Sequence, residues 1–234
     1  MTIYVGIDNT SNNESVGTAK FARRVANKIS DKYPVYAVSR HQFYVHPKIK
    51  YSTHNFGAVI HLDCDEEKCV NDVFLIIKGI MEDEFNTESN PGLAVAHEKH
   101  ISPAVINYGQ DAKKSILTQK RAEDLAIHSN IKLEGFGKTK NGIIGAIASI
   151  GLAATKNDGR FLQIGNIRTI KEPQPVENFI KAGIEKIFTL DGRRIKNGTI
   201  FNDNNKPVKP SPINGEVILF VIEENGRYKA INKD

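Results

Sequence analysis

Gly6-Ile7-Asp8-Asn9-Thr10-Ser11-Asn12-Asn13-Glu14-Ser15-Val16-Gly17-Thr18-Ala19-Lys20 joins two regions of different periodicity. Before it, Thr2-Ile3-Tyr4-Val5 is β-branched and aromatic and reads as a strand. After it, Val16, Phe21, Ala22, Val25, Ala26 and Ile29 recur at the helical period, which predicts a helix over 16–29. A strand, a polar loop and a helix start form a common anion-binding unit, because the first helical N–H groups lack partners and the helix dipole is positive there. Gly17 allows close approach of a phosphate oxygen to the backbone. Thr10, Ser11, Ser15 and Thr18 offer hydroxyls, and Lys20 adds a charge if it turns back to the loop. Asp8, at the strand end, is placed to hold a magnesium ion. An ordinary strand–helix connection capped by Ser15 or Asn13 satisfies the same pattern.

Outward from this stretch, Tyr33–Phe43 and Phe56–Leu62 read as strands. Between them lies a polar cluster of Arg40, His41, His46, Tyr51, Ser52, Thr53, His54 and Asn55. Arg40 suits bidentate phosphate binding, and His54 suits nucleotide contact or proton transfer near neutral pH. Glu66–Glu84 carries Val70, Val73, Phe74, Ile77, Ile80 and Met81 on one helical face. Leu93–Ala96 reads as a short strand. Asp111–His128 reads as one long helix with Ile116, Leu117, Ala122, Leu125 and Ala126 inward. His97-Glu98-Lys99-His100 does not have metalloprotease spacing and reads as a solvated turn.

A second glycine-rich stretch, Gly135-Phe136-Gly137-Lys138-Thr139-Lys140-Asn141-Gly142, feeds the apolar run Ile143–Gly151, which reads as a buried helix. Its glycines fit a phosphate cradle formed by Gly137, Lys138, Asn141 and Gly142, or close packing alone. A strand is expected over Phe161–Arg168 and a helix over Val176–Ala182. Past Gly183, short strands at Lys186–Leu190, Thr199–Phe201, Glu216–Ile222 and Arg227–Ile231 alternate with the turn dipeptides Asp191-Gly192, Asn197-Gly198, Asn214-Gly215 and Asn225-Gly226.

Gly-Ile-Asp-Asn-Thr-Ser followed by Val-Gly-Thr resembles the signature that opens the archaeal tRNA-isoleucine agmatinylcytidine synthetases and their bacterial relatives. The resemblance runs from Ile3 to about Arg168 and is strongest at 6–18, 40–59 and 135–151, with Asn141-Gly142-Ile143-Ile144-Gly145-Ala146 as the core of the last. It implies an ATP-using, kinase-type domain with a threonine of the phosphoryl chemistry at Thr18. Asn9 and Ser11 stand where that signature has Asp, and each removes one negative charge from a cation site. The zinc ribbon that helps those synthetases hold tRNA is not expected, since Cys64 and Cys69 are the only cysteines.

The implied fold class is α+β: a synthetase-like region with kinase-type and ferredoxin-like substructures over 1–170, a linker and short helix over 171–184, and a small, OB-like β module over 185–234. The leading expectation is an ATP-dependent ligase- or kinase-type enzyme using ATP and Mg2+. Asp8 and Thr18 would be catalytic, with Asp8 the metal ligand. Gly6, Thr10, Gly17, Lys20, Arg40, Gly137, Lys138, Asn141 and Gly142 would bind the nucleotide, and Tyr51, Thr53, His54 and Asn55 the substrate. A non-catalytic module holding an amine or a nucleotide is the alternative. A third is an RNA-binding protein using Phe188, Phe201, Phe220 and Tyr228.

The 234 residues carry a net charge of +5, compatible with an anionic partner, and the apolar and charged fractions of 40% and 25% are ordinary for a globular protein. No run approaches 18 consecutive apolar residues and no signal-peptide pattern opens the chain, so a cytoplasmic protein with reduced cysteines and no membrane partner is expected.

Overall fold

The computed structural model describes residues 1–10, 17–51, 54–84, 88–171, 173–203 and 206–231. The chain forms two compact units, Met1–Thr155 and Lys156–Asp234.

The first unit opens with strand β1 (Thr2–Asp8), helix α1 (Thr18–Ile29), strands β2 (Val35–Gln42) and β3 (Phe56–Asp63), helix α2 (Cys69–Glu84) and strand β4 (Gly92–His97). β1 lies between β3 and β4, antiparallel to both, and β2 pairs antiparallel with β3. The resulting order, β4-β1-β3-β2, is the ferredoxin-like split βαβ arrangement. A short strand, β5 (Lys132–Gly135), extends the sheet beyond β4. The class is therefore α+β.

β1 and β4 are buried almost continuously, as a sheet covered on both faces requires. Tyr4, Val59, Ala94 and Ala96 face a core built with helices α3 (Pro103–Ala112), α4 (Gln119–His128) and α5 (Gly142–Ala154). α1 and α2 pack on β2, β3 and β4. Phe21, Ala22, Val25, Ala26 and Ile29 form the buried stripe of α1.

α5 is buried along nearly its whole length. It seats directly on the sheet because glycines meet there. A Cβ on Gly92 would lie 2.1 Å from the carbonyl carbon of Gly142, and one on Gly142 would lie 2.3 Å from the Gly92 nitrogen.

Three expectations change. Asp111–His128 is not one helix: α3 starts at Pro103 and ends at Ala112, and α4 begins only at Gln119. Proline suits the first helical turn of α3. Thr118 caps α4, its hydroxyl accepting from the Arg121 N–H at 3.3 Å, so the helix restarts there. Ile116, expected inward, lies in the break and is 48% exposed. His97 is no solvated turn residue. It ends β4, is buried, and its Nδ1 accepts from the Lys99 N–H. Arg40 and His41, at the end of the strand expected over Tyr33–Phe43, belong to buried positions of β2.

The second unit contains β6 (Arg160–Ile164), β7 (Gln174–Pro175), α6 (Val176–Lys181), β8 (Lys186–Thr189), β9 (Thr199–Phe201), β10 (Ser211–Ile213), β11 (Glu216–Glu224) and β12 (Arg227–Ile231). β11 pairs antiparallel with β10 and β12 and parallel with β8, while β12 pairs parallel with β9. Among the described strands the β7–β12 sheet has free ends and forms no closed barrel. Asn214-Gly215 and Asn225-Gly226 have positive φ at both residues, at 51° and 83° and at 51° and 74°, the geometry of two-residue hairpin turns. Among the described residues no helix is long and apolar enough to cross a membrane.

Candidate functional site

The first unit holds a cavity of about 740 Å3 where the end of β1, the start of α1 and the start of α5 meet. Asp8 is the last residue of β1 and half-buried. Its carboxylate lies against α5, where a Cβ on Gly145 would come within 2.0 Å of Oδ2. Desolvation pushes the Asp8 carboxyl up to about 7, with a backbone hydrogen bond at Asn9 opposing the rise. Thr18 opens α1 and is buried, and Thr10 donates to its hydroxyl at 3.2 Å.

Asn9 adopts φ 56°, a left-handed conformation that Asn tolerates better than most residues. Its side-chain amide donates to the Asn90 carbonyl at 3.1 Å. That carbonyl also accepts from the Gly142 N–H at 3.0 Å, and the Asn90 Oδ1 accepts from the Thr139 N–H at 2.7 Å. Asn90 thus ties together the loop after β1, the turn before β4 and the start of α5. The resemblance reads Asn9 as a missing acid; in the fold it is a donor, a role a carboxylate cannot fill.

The opposite wall comes from the β2–β3 connection, through Phe43, Lys48, Ile49, Lys50, Tyr51, His54, Asn55 and Phe56, and from the α3–α4 break, through Ser115, Ile116 and Leu117. The Tyr44 N–H donates to the Ala112 carbonyl at 2.9 Å and joins the two segments. Behind this wall, the Arg40 guanidinium stacks on Phe56 at 4.1 Å from the ring centre and donates to Gln42 at 2.8 Å. Gln42 in turn donates to the Asn55 carbonyl at 2.8 Å, and Asn55 to the Tyr44 carbonyl at 2.8 Å. Arg40 therefore supports the wall through Phe56 and the amide chain.

Of the residues singled out in the sequence, Asp8, Thr18, Tyr51, His54, Asn55 and Asn141 line this cavity together. Thr10 stands behind Thr18. Gly6 is enclosed between the sheet and α5, where a Cβ would meet the Ala146 carbonyl oxygen at 2.1 Å. Gly17 and Lys20 are exposed at the start of α1, Gly137 occupies a turn at φ 74°, Lys138 is exposed beside it, and Gly142 packs on Gly92. Arg40 is outside the cavity lining. Thr53, with Ser11, Asn13 and Ser15, lies outside the described residues.

Sequence reasoning did not single out Lys48, Lys50, Glu88, Asn90 or the 115–117 segment as cavity residues. Asn90-Pro91-Gly92 carried only a turn signal, and Ile116 carried a misleading helical one.

Beside the site, Ser39 joins His41 Nε2 at 2.8 Å and His61 Nε2 at 2.7 Å inside the sheet. Cys64 and Cys69 are both unpaired in disulfides. Among the described residues no three His, Cys, Asp or Glu side chains are grouped to hold a metal by themselves. A magnesium ion that brings phosphate oxygens with it needs only one or two carboxylates from the protein, and the Asp8 carboxylate, which lines the cavity with Thr18, fits that use.

No protein-family model and no curated protein matches the chain. Solved structures do. A tRNA fluorescent labeling enzyme aligns with TM-score 0.54 and 20% identity over 64% of this chain. Apo TiaS, an agmatidine synthetase for an isoleucine tRNA, aligns with TM-score 0.54 and 18% identity, and the complex of TiaS with that tRNA and ATP with 0.54 and 19%, each again over 64% of this chain. The match spans 36%, 35% and 36% of those proteins, so this chain corresponds to about a third of their length. Over that aligned part, the chain is similar in fold to these proteins.

Proposed function

We propose that this protein binds ATP in the cavity at the end of β1 and uses it in phosphoryl transfer to a small molecule or an RNA nucleotide. The observation that carries the reading is the convergence of Asp8, Thr18 and the start of α5 on one cavity of nucleotide size. Likeness of fold to a synthetase solved with ATP and an isoleucine tRNA agrees with it. Thr18 would contact the transferred phosphate, with Thr10 orienting its hydroxyl. The N–H groups of Thr18 and Ala19, the first of α1, would receive phosphate oxygens. Lys48 and Lys50 line the cavity and would neutralise charge, with Lys20 and Lys138 nearby on exposed positions. His54 and Asn55 would meet the acceptor. Magnesium, held by Asp8 and the phosphates, would supply charge neutralisation of the triphosphate.

Calorimetry with ATP and magnesium, followed by assay of the same sample for ADP or AMP, tests the proposal. Binding with turnover that is lost in Asp8→Ala and Thr18→Ala is the expected result. Absence of binding at millimolar ATP rejects it.

A second reading is a module that holds a nucleotide or an amine without turning it over. It is favoured by Asn9, whose side-chain N–H donates to the Asn90 carbonyl and which brings no negative charge to a cation. Binding without product is its signature.

A further inference from the structure

The cavity has two walls of different chemistry. One presents Asp8, Thr18 and Asn141. The other carries apolar side chains, Ile49 and Tyr51 from the β2–β3 connection and Ile116 and Leu117 from the α3–α4 break, with Lys48 and Lys50 interleaved. Large apolar side chains scattered singly on a surface need no explanation. Here two exposed ones of the first unit, Tyr51 at 37% and Ile116 at 48%, line the same cavity. Neither serves the core: Ile116 is carried outward by the interruption between α3 and α4. The bond from the Tyr44 N–H to the Ala112 carbonyl holds the two apolar segments at one mouth.

We propose that these apolar side chains are a seat for the planar base of the bound nucleotide, with Tyr51 and Ile116 as its specificity-determining side chains. The inference rests on the nucleotide reading above and adds which part of the ligand lies where. A triphosphate needs hydroxyls, N–H groups and cations, which Thr18, the start of α1 and the lysines beside the apolar side chains supply. A nucleobase needs a flat apolar or aromatic contact, which Tyr51 and Ile116 offer. Base–aromatic contacts are sequence-tolerant and strong enough to matter for affinity. The break between α3 and α4 then has a purpose in the site, since a continuous helix would have turned Ile116 inward.

The test is calorimetry of the full chain, with magnesium, against ATP and against inorganic triphosphate. The variants are Tyr51→Ser, Ile116→Ser and the double. Both positions are exposed, so the thermal unfolding midpoint should be unchanged. The wild type is expected to bind ATP roughly tenfold or more tighter than triphosphate, and the double variant to lose roughly tenfold on ATP while triphosphate affinity stays within about twofold. Equal affinity of the wild type for the two ligands overturns the base seat, as does an equal loss on both in the double variant. In either case nucleotide binding itself stands. If neither ligand binds the wild type, the nucleotide reading falls and the base seat falls with it.

Discussion

The starts of α1 and α5 look alike in the sequence and differ in the fold. Each is a glycine-bearing polar loop leading into a helix, and each suits a phosphate cradle on paper. At α1, no atom of the described residues lies within 4 Å of a Cβ placed on Gly17. At α5 the glycine is enclosed: Gly142 packs backbone to backbone on Gly92, and its N–H is already taken by the Asn90 carbonyl. Glycine at one helix start has no described neighbour to make way for. At the other it lets a helix sit on a sheet. The same residue type thus serves approach from outside in one place and packing from inside in the other, and only the neighbours tell them apart.

The sharpest way to break this contrast is through Asp8, which lies between the two helix starts. Its carboxyl is pushed from its ordinary 3.8 up to about 7 by desolvation. The folded protein therefore holds this proton more tightly than the unfolded chain does. The contribution of Asp8 to stability is best below pH 3.8 and is lost as pH rises through about 7, a difference on the order of 4 kcal/mol. Asp8→Asn, studied with chelator present, should be more stable than the wild type by up to that amount at about pH 8 and equal to it near about pH 3.5. Urea unfolding at the two pH values reads this directly. An advantage of the same size at both would show that the charge is not what burial penalises.

Gly142→Ala comes next. A methyl group at 2.3 Å from the Gly92 nitrogen has only backbone to push against, so a loss of about 3 kcal/mol in urea unfolding is expected. A loss below about 1 kcal/mol would mean that α5 can lift from β4, and the packing role would fail.

Asn9→Asp sharpens the comparison with the synthetase signature. The substitution removes the donor to the Asn90 carbonyl and sets a carboxylate facing it. Stability should fall by about 1–2 kcal/mol, while affinity for divalent cations should rise. Unchanged stability would show that the Asn9–Asn90 bond does not secure the loop.

Much of this organisation is legible in the residues and the rest is not, for physical reasons. The β1, α1, β2, β3, α2, β4 succession follows from local periodicity, as do the hairpins at Asn214-Gly215 and Asn225-Gly226, where the turn chemistry is encoded in two adjacent residues. Asp8 and Thr18 are legible because a strand end and a helix start bracket the site. The break at 113–118 is hidden, because Ile116 and Leu117 continue the apolar spacing of α4 while Thr118 restarts the helix. The part played by Asn90 is hidden too. Its three hydrogen bonds reach Asn9, Thr139 and Gly142, all distant in the chain, and a turn dipeptide carries no trace of them. Arg40 has the right chemistry for phosphate. Strand alternation and Phe56 put it behind the cavity wall, and a residue-type argument does not see that.

The smallest expected effect is the most discriminating. Gly17→Ala changes a residue with φ −60° and ψ 151°, a conformation open to any amino acid, and adds a methyl group that meets none of the described residues. As an N-terminal cap without a side-chain bond, glycine gives little to lose, so stability should change by less than about 0.5 kcal/mol. ATP affinity measured on the same variant then separates two meanings of an open glycine. If affinity drops severalfold while stability holds, the space before α1 is occupied by the ligand, and the difference between the two helix starts is one of function as well as packing. If both stay put, Gly17 is only a connection, and the phosphates lie nearer to the start of α5, where Asn141 faces the cavity.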